Sequence, residues 1–344
     1  MELTGEQRQA LKQFRALLLD AGMDRLLEQD PAQARAPDSP LIPEPLQSCV
    51  PREVIATLEA LGLVARSGDT VTAGEYRLVY HLGLFLFCQT LAPSAKLYYG
   101  NDSVALSRLL LPAEGRVLDL CAGVGTQALV CAQTATSVTA VEMEPLAERV
   151  FWINAELNGL SEKVEFLIGD LLEPVAGRQF DRICCNPPFM PVAPGVRYPV
   201  FADGGPDGLA IVRRLLAGLP EVLAPNGLCQ VVGSVLGNSE GPDLSSLERL
   251  AAEAQLKMTI SCPSCEELDA SMLASCAATA LACDGGGDVK QVFRDHFARL
   301  GATHIYYFLL SASHAAQPTV YFSHNDVQRA TVGPFVRRSG AAGN

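Results

Sequence analysis

Apolar residues recur at Leu11, Phe14 and Leu18 behind Thr4 and Gln7, the spacing of one helix face opened by a capping box. A run of prolines (Pro31, Pro37, Pro40, Pro43, Pro45) breaks the pattern and predicts a loop or linker. Pro51 then opens a second helix that Gly62 ends, and two short strands are expected around the turn Ser67-Gly68-Asp69. A helix followed by a hairpin is the order of a winged helix. Residues 1–95 are therefore expected to form a helical, winged-helix-like N-terminal domain.

From Arg116 the texture changes. Strands are expected at 117–121, 138–142, 164–168, 182–186 and 228–235, with helices at 126–134, 145–158 and from Leu209 onward. Strands separated by helices imply crossover connections and a parallel sheet covered on both faces. The near-continuous apolar strands RVLDLC and RICC agree. A helix at 244–254 and helical segments at 265–282 and 289–300 form a helical insertion near 262–300, before closing strands at 304–310 and 319–322. The expected architecture is α/β: a seven-stranded, doubly wound, Rossmann-like sheet filling one domain over residues 96–344.

Composition narrows the partners. Acidic residues outnumber basic ones by 38 to 26, a formal charge of −12. Duplex binding needs a concentrated positive footprint, so nucleic acid is disfavoured as a partner. No stretch nears the roughly 20 apolar residues of a membrane span, and the first residues lack a signal-peptide pattern. The expected setting is the cytoplasm, with no membrane partner. The 11 cysteines are scattered, several in apolar runs (Cys88, Cys184, Cys185, Cys229), which reads as reduced core thiols. Cys262 and Cys265 form a lone CxxC without a second pair, so no metal site is expected. The five histidines form no catalytic constellation.

The first parallel strand runs into Gly123 and Gly125, where the chain must turn sharply into a helix. This glycine pair also fits a dinucleotide turn, so an NAD oxidoreductase is one rival. Asp119, four residues earlier, would repel a pyrophosphate but suits the ammonium and sulfonium of S-adenosylmethionine (SAM). Glu142 ends the next strand and can accept ribose hydroxyls, at about 1.5–3 kcal/mol for charged hydrogen bonds. Asp170 can accept an adenine amino group, with Leu171 flanking the ring; a plain helix cap is the alternative. The fourth strand ends in Asn186-Pro187-Pro188-Phe189. Two prolines hold a rigid loop. The Asn186 side-chain oxygen and the Pro187 carbonyl can accept both hydrogens of a planar –NH2 group, and Phe189 can stack on it.

DLCAGVGT, VEMEP, GD and NPPF, in this order and spacing over residues 116–235, resemble class I SAM-dependent methyltransferases of the NPPY/NPPF type. The phrase FADGGPDGL, residues 201–209, resembles a loop of the glutamine N5-methyltransferases that modify release factors. The segment KLYYGNDSVALSR, residues 96–108, resembles the cofactor-covering lead-in of related enzymes, which implies that Tyr99 and Asp102 line the pocket. The resemblance implies methyl transfer to a planar amide or amino nitrogen of a small molecule, peptide or protein side chain. Two alternatives stand beside it: exocyclic-amine methylation of RNA or DNA, and a SAM-binding winged-helix regulator. A homodimer through the N-terminal domain is a further expectation.

Overall fold

The computed structural model describes residues 3–28, 50–67, 70–72, 74–90, 95–112, 114–283, 286–326, 331–332 and 336–338. The proline run and the Gly68-Asp69 turn lie outside them. The chain groups into two compact units, one of Met1–Glu114 with Ala122–Asp170, the other of Gly115–Cys121 with Leu171–Asn344.

The first unit opens with α1 (Gly5–Asp20), whose capping box joins Thr4 and Gln7 through bonds of 3.2 and 2.9 Å. Its apolar stripe, Leu11, Phe14 and Leu18, is buried as the spacing predicts. Next come α2 (Met23–Glu28) and α3 (Arg52–Ala60), and the short hairpin β1 (Ala65–Ser67) and β2 (Thr70–Thr72). A second hairpin, which the pattern reading did not anticipate, pairs β3 (Tyr76–His81) with β4 (Leu84–Gln89). Its tight turn puts Leu82 at φ 48° and Gly83 at φ 88°. Two-residue hairpin turns favour left-handed backbone because it matches the strand twist. After α4 (Asn101–Leu109) and β5 (Arg116–Leu120), a strand of the second unit, the chain continues as α5 (Thr126–Ala132), β6 (Ser137–Glu142), α6 (Pro145–Leu157) and β7 (Val164–Ile168). β6 and β7 pair in parallel, Glu142 opposite Ile168.

Three polar residues fix α6. The buried Glu156 carboxylate lies 3.6 Å from Arg8 and 3.3 Å from Lys12, both on α1. The Asn154 side-chain amide bonds the N–H of Phe87 at 2.8 Å and the carbonyls of Phe87 and Val124 at 3.0 Å each. One turn on, Asn158 bonds the N–H and carbonyl of Phe85 at 3.0 and 2.7 Å.

The second unit carries β8 (Phe180–Cys185), β9 (Val196–Arg197), α7 (Ala210–Val222), β10 (Leu223–Asn238), β11 (Gly241–Pro242), α8 (Ser245–Glu253), β12 (Leu256–Glu267), α9 (Ala270–Thr279), β13 (Ala282–Cys283), α10 (Val289–Arg299), β14 (His304–His314), β15 (Thr319–Asp326), β16 (Thr331–Val332) and β17 (Val336–Arg338). Its sheet runs β16-β15-β12-β14-β10-β8-β5, with β11 beside β10 and β17 beside β15. β5, β8 and β10 are parallel; β14 is antiparallel to β10 and to β12.

Three expectations need correction. The strands exceed seven. The sheet is mixed rather than purely parallel, because β14 enters reversed between β10 and β12. The segment 265–267 is strand, not helix, so the helical insertion consists of α9 and α10. In β12 the buried residues alternate as Leu256, Met258, Ile260 and Cys262, the period of a half-buried strand. Pro263, which cannot donate to a ladder, interrupts that pattern, and the pairing shifts register between Ser261 and Ser264.

Candidate active site

In the first unit the glycine turn and two strand ends converge on Glu142. Its Oε2 accepts the Gly123 N–H at 3.0 Å, and its Oε1 accepts those of Met143 and Glu144 at 2.7 and 2.9 Å. Its backbone carbonyl accepts the Gly169 N–H at 3.0 Å, which ties the Gly169-Asp170 turn to the same residue. A carboxylate offers about four acceptor positions. Three are taken, so Glu142 can accept one ribose hydroxyl as it stands; a second would displace a backbone bond.

The two glycines have different reasons. Gly123 sits at φ 51°, and a Cβ there would meet only the Tyr98 carbonyl, at 3.9 Å, so the space above it is open. Gly125, at φ 90°, would drive a Cβ to 2.6 Å from the Phe151 ring, so it is required by packing beneath α5. The lead-in reaches the turn through Tyr98, whose hydroxyl donates to Asp102 Oδ1 at 2.5 Å. Tyr99 is buried instead, its carbonyl held by Arg77 Nη2 at 2.9 Å and its ring beneath the Arg77 guanidinium at 5.6 Å. Burial raises the pKa of its hydroxyl.

In the second unit, Asp119 is fully buried on β5 opposite Cys184, whose thiol donates to Asp119 Oδ1 at 3.4 Å. Leu171 is buried at φ 49°. Asn186 follows the last residue of β8, with Pro187 buried and Phe189 half-buried. The loop is clamped at Phe189. Ser234 Oγ, fully buried in β10, donates to the Phe189 carbonyl at 2.6 Å. Tyr307, the cross-strand partner of Ser234, meets the Phe189 ring edge-on with centroids 6.3 Å apart.

The 201–209 loop closes the clamp. Met190 N–H donates to Ala202 O and Gly204 N–H to Met190 O, each at 2.9 Å. A Cβ on Gly204 would lie 2.6 Å from Phe189 Cα, and one on Gly208 would lie 2.6 Å from the Phe189 carbonyl oxygen. Asp203 caps Gly205 at 2.9 Å, and Asp207 grips Arg213 at 2.6 and 2.9 Å. Burial works to raise the Asp207 pKa; its bonds to Arg213 and to the Leu209 N–H outweigh that and lower it. His296 Nε2 lies 2.6 Å from the Pro206 carbonyl oxygen. Ser234, Tyr307 and His296 were missed by sequence reasoning. The only hint was a serine inside the apolar run VVGSVLG.

Tyr198 is core, edge-on to Phe293 at 6.2 Å in the cluster that Met190 and Tyr307 pack against, and burial pushes its hydroxyl pKa to about 12. Cys262 is buried and Cys265 exposed, and no cluster of three potential metal ligands occurs among the described residues.

Residues 101–240 match the family model described as "Methyltransferase small domain". A release factor glutamine methyltransferase of Geobacter sulfurreducens is 34% identical over 210 residues, covering 56% of this chain and 68% of that one. The chain belongs to the class I SAM-dependent methyltransferases. A chain from Methanocaldococcus jannaschii assigned as a protein N5-glutamine methyltransferase matches this methyltransferase at 31% identity, over 47% of its length and 84% of the relative's. A ribosomal protein uL3 glutamine methyltransferase of Bradyrhizobium diazoefficiens matches at 35% over 147 residues, 39% of this chain and under half, 46%, of the relative. Within the first unit, Glu142 is a half-exposed carboxylate with an acceptor position to spare and the space over Gly123 is open, a pairing that fits the ribose side of SAM; within the second, Asp119 is a buried carboxylate, of the sign that suits a cationic group.

Proposed function

We propose that this methyltransferase moves a methyl group to the side-chain amide nitrogen of a glutamine in a protein. The observation that carries the reading is the clamp on Phe189: Ser234, Gly204 and Gly208 hold the Asn186–Phe189 loop at its far end, while β8 holds its near end. A loop so fixed can orient an acceptor without supplying a base. The three relatives named above, all of them called glutamine methyltransferases, support an amide nitrogen as the acceptor.

The roles are assigned residue by residue. Glu142 accepts a ribose hydroxyl, Asp119 compensates the positive methionine end, and Asp170 takes the adenine amino group beside Leu171. Gly123 leaves room for the cofactor; Gly125 sets the turn that delivers it; Tyr99 and Asp102 brace the lead-in. Bound SAM supplies a methyl group already activated by its sulfonium. The Asn186 side-chain oxygen and the Pro187 carbonyl accept the two amide hydrogens of the acceptor. Drawing both hydrogens aside weakens amide conjugation and frees the nitrogen lone pair; once the nitrogen carries the methyl group it is acidic and gives up one of these hydrogens as a proton to water. Phe189 stacks on the amide plane. Orientation of this kind can lower a barrier by several kcal/mol, up to about 7–11 in well-aligned systems.

The reading extends to a cytoplasmic enzyme whose residues 1–95 form a winged-helix-like domain serving acceptor recognition or dimerisation; sedimentation would decide the oligomeric state. The central test is incubation of cell extract with the enzyme and methyl-labelled SAM. Label on a glutamine side chain supports the proposal. Label confined to RNA, DNA or small metabolites, or SAM binding without turnover, rejects it.

A further inference from the structure

Cys121 and Cys185 lie in the second unit with their sulfurs 3.9 Å apart, the Cys185 thiol donating to the Cys121 sulfur. Leu120 and Cys185 are register partners on β5 and β8, so Cys121, the residue just after β5, sits one step off register from Cys185. Disulfides need Cα atoms about 4.4–6.8 Å apart, the range that adjacent strands offer. Cys121 stands at φ 57° and is partly exposed, whereas Cys185 is fully buried. One thiol is reachable from solvent and the other is poised behind it, the arrangement in which a reacting cysteine has a resolving one.

We propose that Cys121 and Cys185 form an oxidisable dithiol that takes hydrogen peroxide, or another hydroperoxide, as its oxidant. The Cys121 sulfur attacks one peroxide oxygen and the O–O bond breaks. Cys121 becomes a sulfenic acid, and its thiol proton leaves in the first water. The Cys185 sulfur then attacks the sulfenic sulfur; the S–S bond forms as the S–O bond breaks, and the Cys185 proton leaves with the hydroxyl as the second water. Two thiols are oxidised by two electrons and one peroxide is reduced to two waters. Burial raises the Cys185 pKa well above that of an ordinary thiol, so the second step quickens as pH rises.

Closing the sulfurs from 3.9 Å to a bond of about 2.05 Å brings them together by about 1.9 Å, about 1 Å each when the movement is shared. Cys121 stands two residues before Gly123, and Cys185 immediately before Asn186. If the methyl-transfer reading holds, this displacement is on the scale of the roughly 1 Å misplacement that can cost about 100-fold in rate. The disulfide is then a reversible off state.

The test treats the full chain with hydrogen peroxide, alkylates free thiols and maps the peptides by mass spectrometry. The expected result is a 121–185 cross-linked pair that dithiothreitol removes, with kcat/KM about 100-fold lower while linked and restored on reduction. Cys121→Ser, treated alike, forms no link and keeps the activity it had before treatment. Recovery of Cys121 in its alkylated form, or a link from Cys185 to another cysteine, overturns the dithiol. A complete 121–185 link with undiminished transfer overturns the off state. The wild-type peptide map decides even if a variant misfolds. It is also independent of turnover: an untreated chain that methylates nothing sinks the functional reading and leaves the map to decide the dithiol.

Discussion

Gly208→Ala would place a methyl carbon 2.6 Å from the Phe189 carbonyl oxygen and 3.0 Å from Ser234 Oγ, on a backbone held at φ 81°. Two costs combine. Left-handed backbone costs a residue with a Cβ about 1–2 kcal/mol, and forcing a carbon into a filled space costs about 1–3 kcal/mol more. Gly177 separates them. It sits at φ 78° with nothing within 4 Å of a would-be Cβ, so Gly177→Ala carries the backbone cost alone. The entropy that alanine removes from the unfolded chain is common to both variants and cancels. Urea titrations should therefore show Gly208→Ala less stable than Gly177→Ala by about 1–3 kcal/mol, at unchanged m. Transfer kinetics should diverge further, because relief of the clash moves the Phe189 carbonyl. Gly208→Ala should lose about 100-fold in kcat/KM, and Gly177→Ala almost none. Equal midpoints for the two variants, or wild-type kcat/KM in Gly208→Ala, would refute the idea that the 201–209 loop clamps the Asn186–Phe189 turn.

Ser234→Ala should leave the Phe189 carbonyl without its hydroxyl donor, costing about 1–3 kcal/mol; kcat should fall while the SAM dissociation constant from calorimetry holds, and a matching rise in that constant would contradict the positioning role. Asn154→Ala strips partners from Phe87 N–H, Phe87 C=O and Val124 C=O, so a loss of about 3 kcal/mol or more is expected in urea, and a loss below about 1 kcal/mol would count against it. Burial, with Arg108 nearby, holds the His81 pKa down at about 4 against an ordinary 6.5, and its Nε2 lies 2.7 Å from Ser107 Oγ. The native state then binds fewer protons than the unfolded chain in that window. Stability present above pH 6.5 should be lost as pH falls towards 4. His81→Gln should flatten that slope; a stability profile parallel to the wild type would exclude His81 as its source.

The alternation of strands and helices was legible over 116–235 because each element carries its own period. β7 was expected at its observed bounds, and β6 and α6 to within one residue at each end. β12 was not legible, because Pro263 cuts a period-2 pattern that only pairing with β14 and β15 completes. Its orientation and that of β14 depend on long-range pairing that no local window contains. The site divides in the same way. Glu142 and the NPPF loop stand out as residue types at strand ends. The clamp on Phe189 arises from residues 15, 19, 45 and 118 positions downstream, brought together by β10, β14 and the 201–209 loop. Gly125 was legible as a turn glycine but for another reason, since the ring of Phe151 that requires it lies far along the chain.

Four residues along a helix advance about 6 Å and two along a strand about 6.6 Å. Asn154 and Asn158 use that near-coincidence: their amides meet Phe85 and Phe87 with the donor–acceptor pattern of a neighbouring strand. A lone hairpin has two open flanks, and an open flank is a template for a foreign chain. On the β4 side that template is already consumed from within. Fibrillar growth or strand exchange from this flank is blocked in the folded chain, and any self-association must use another surface. A variant lacking both amides would reopen it, and aggregation seeded at 84–89 should follow.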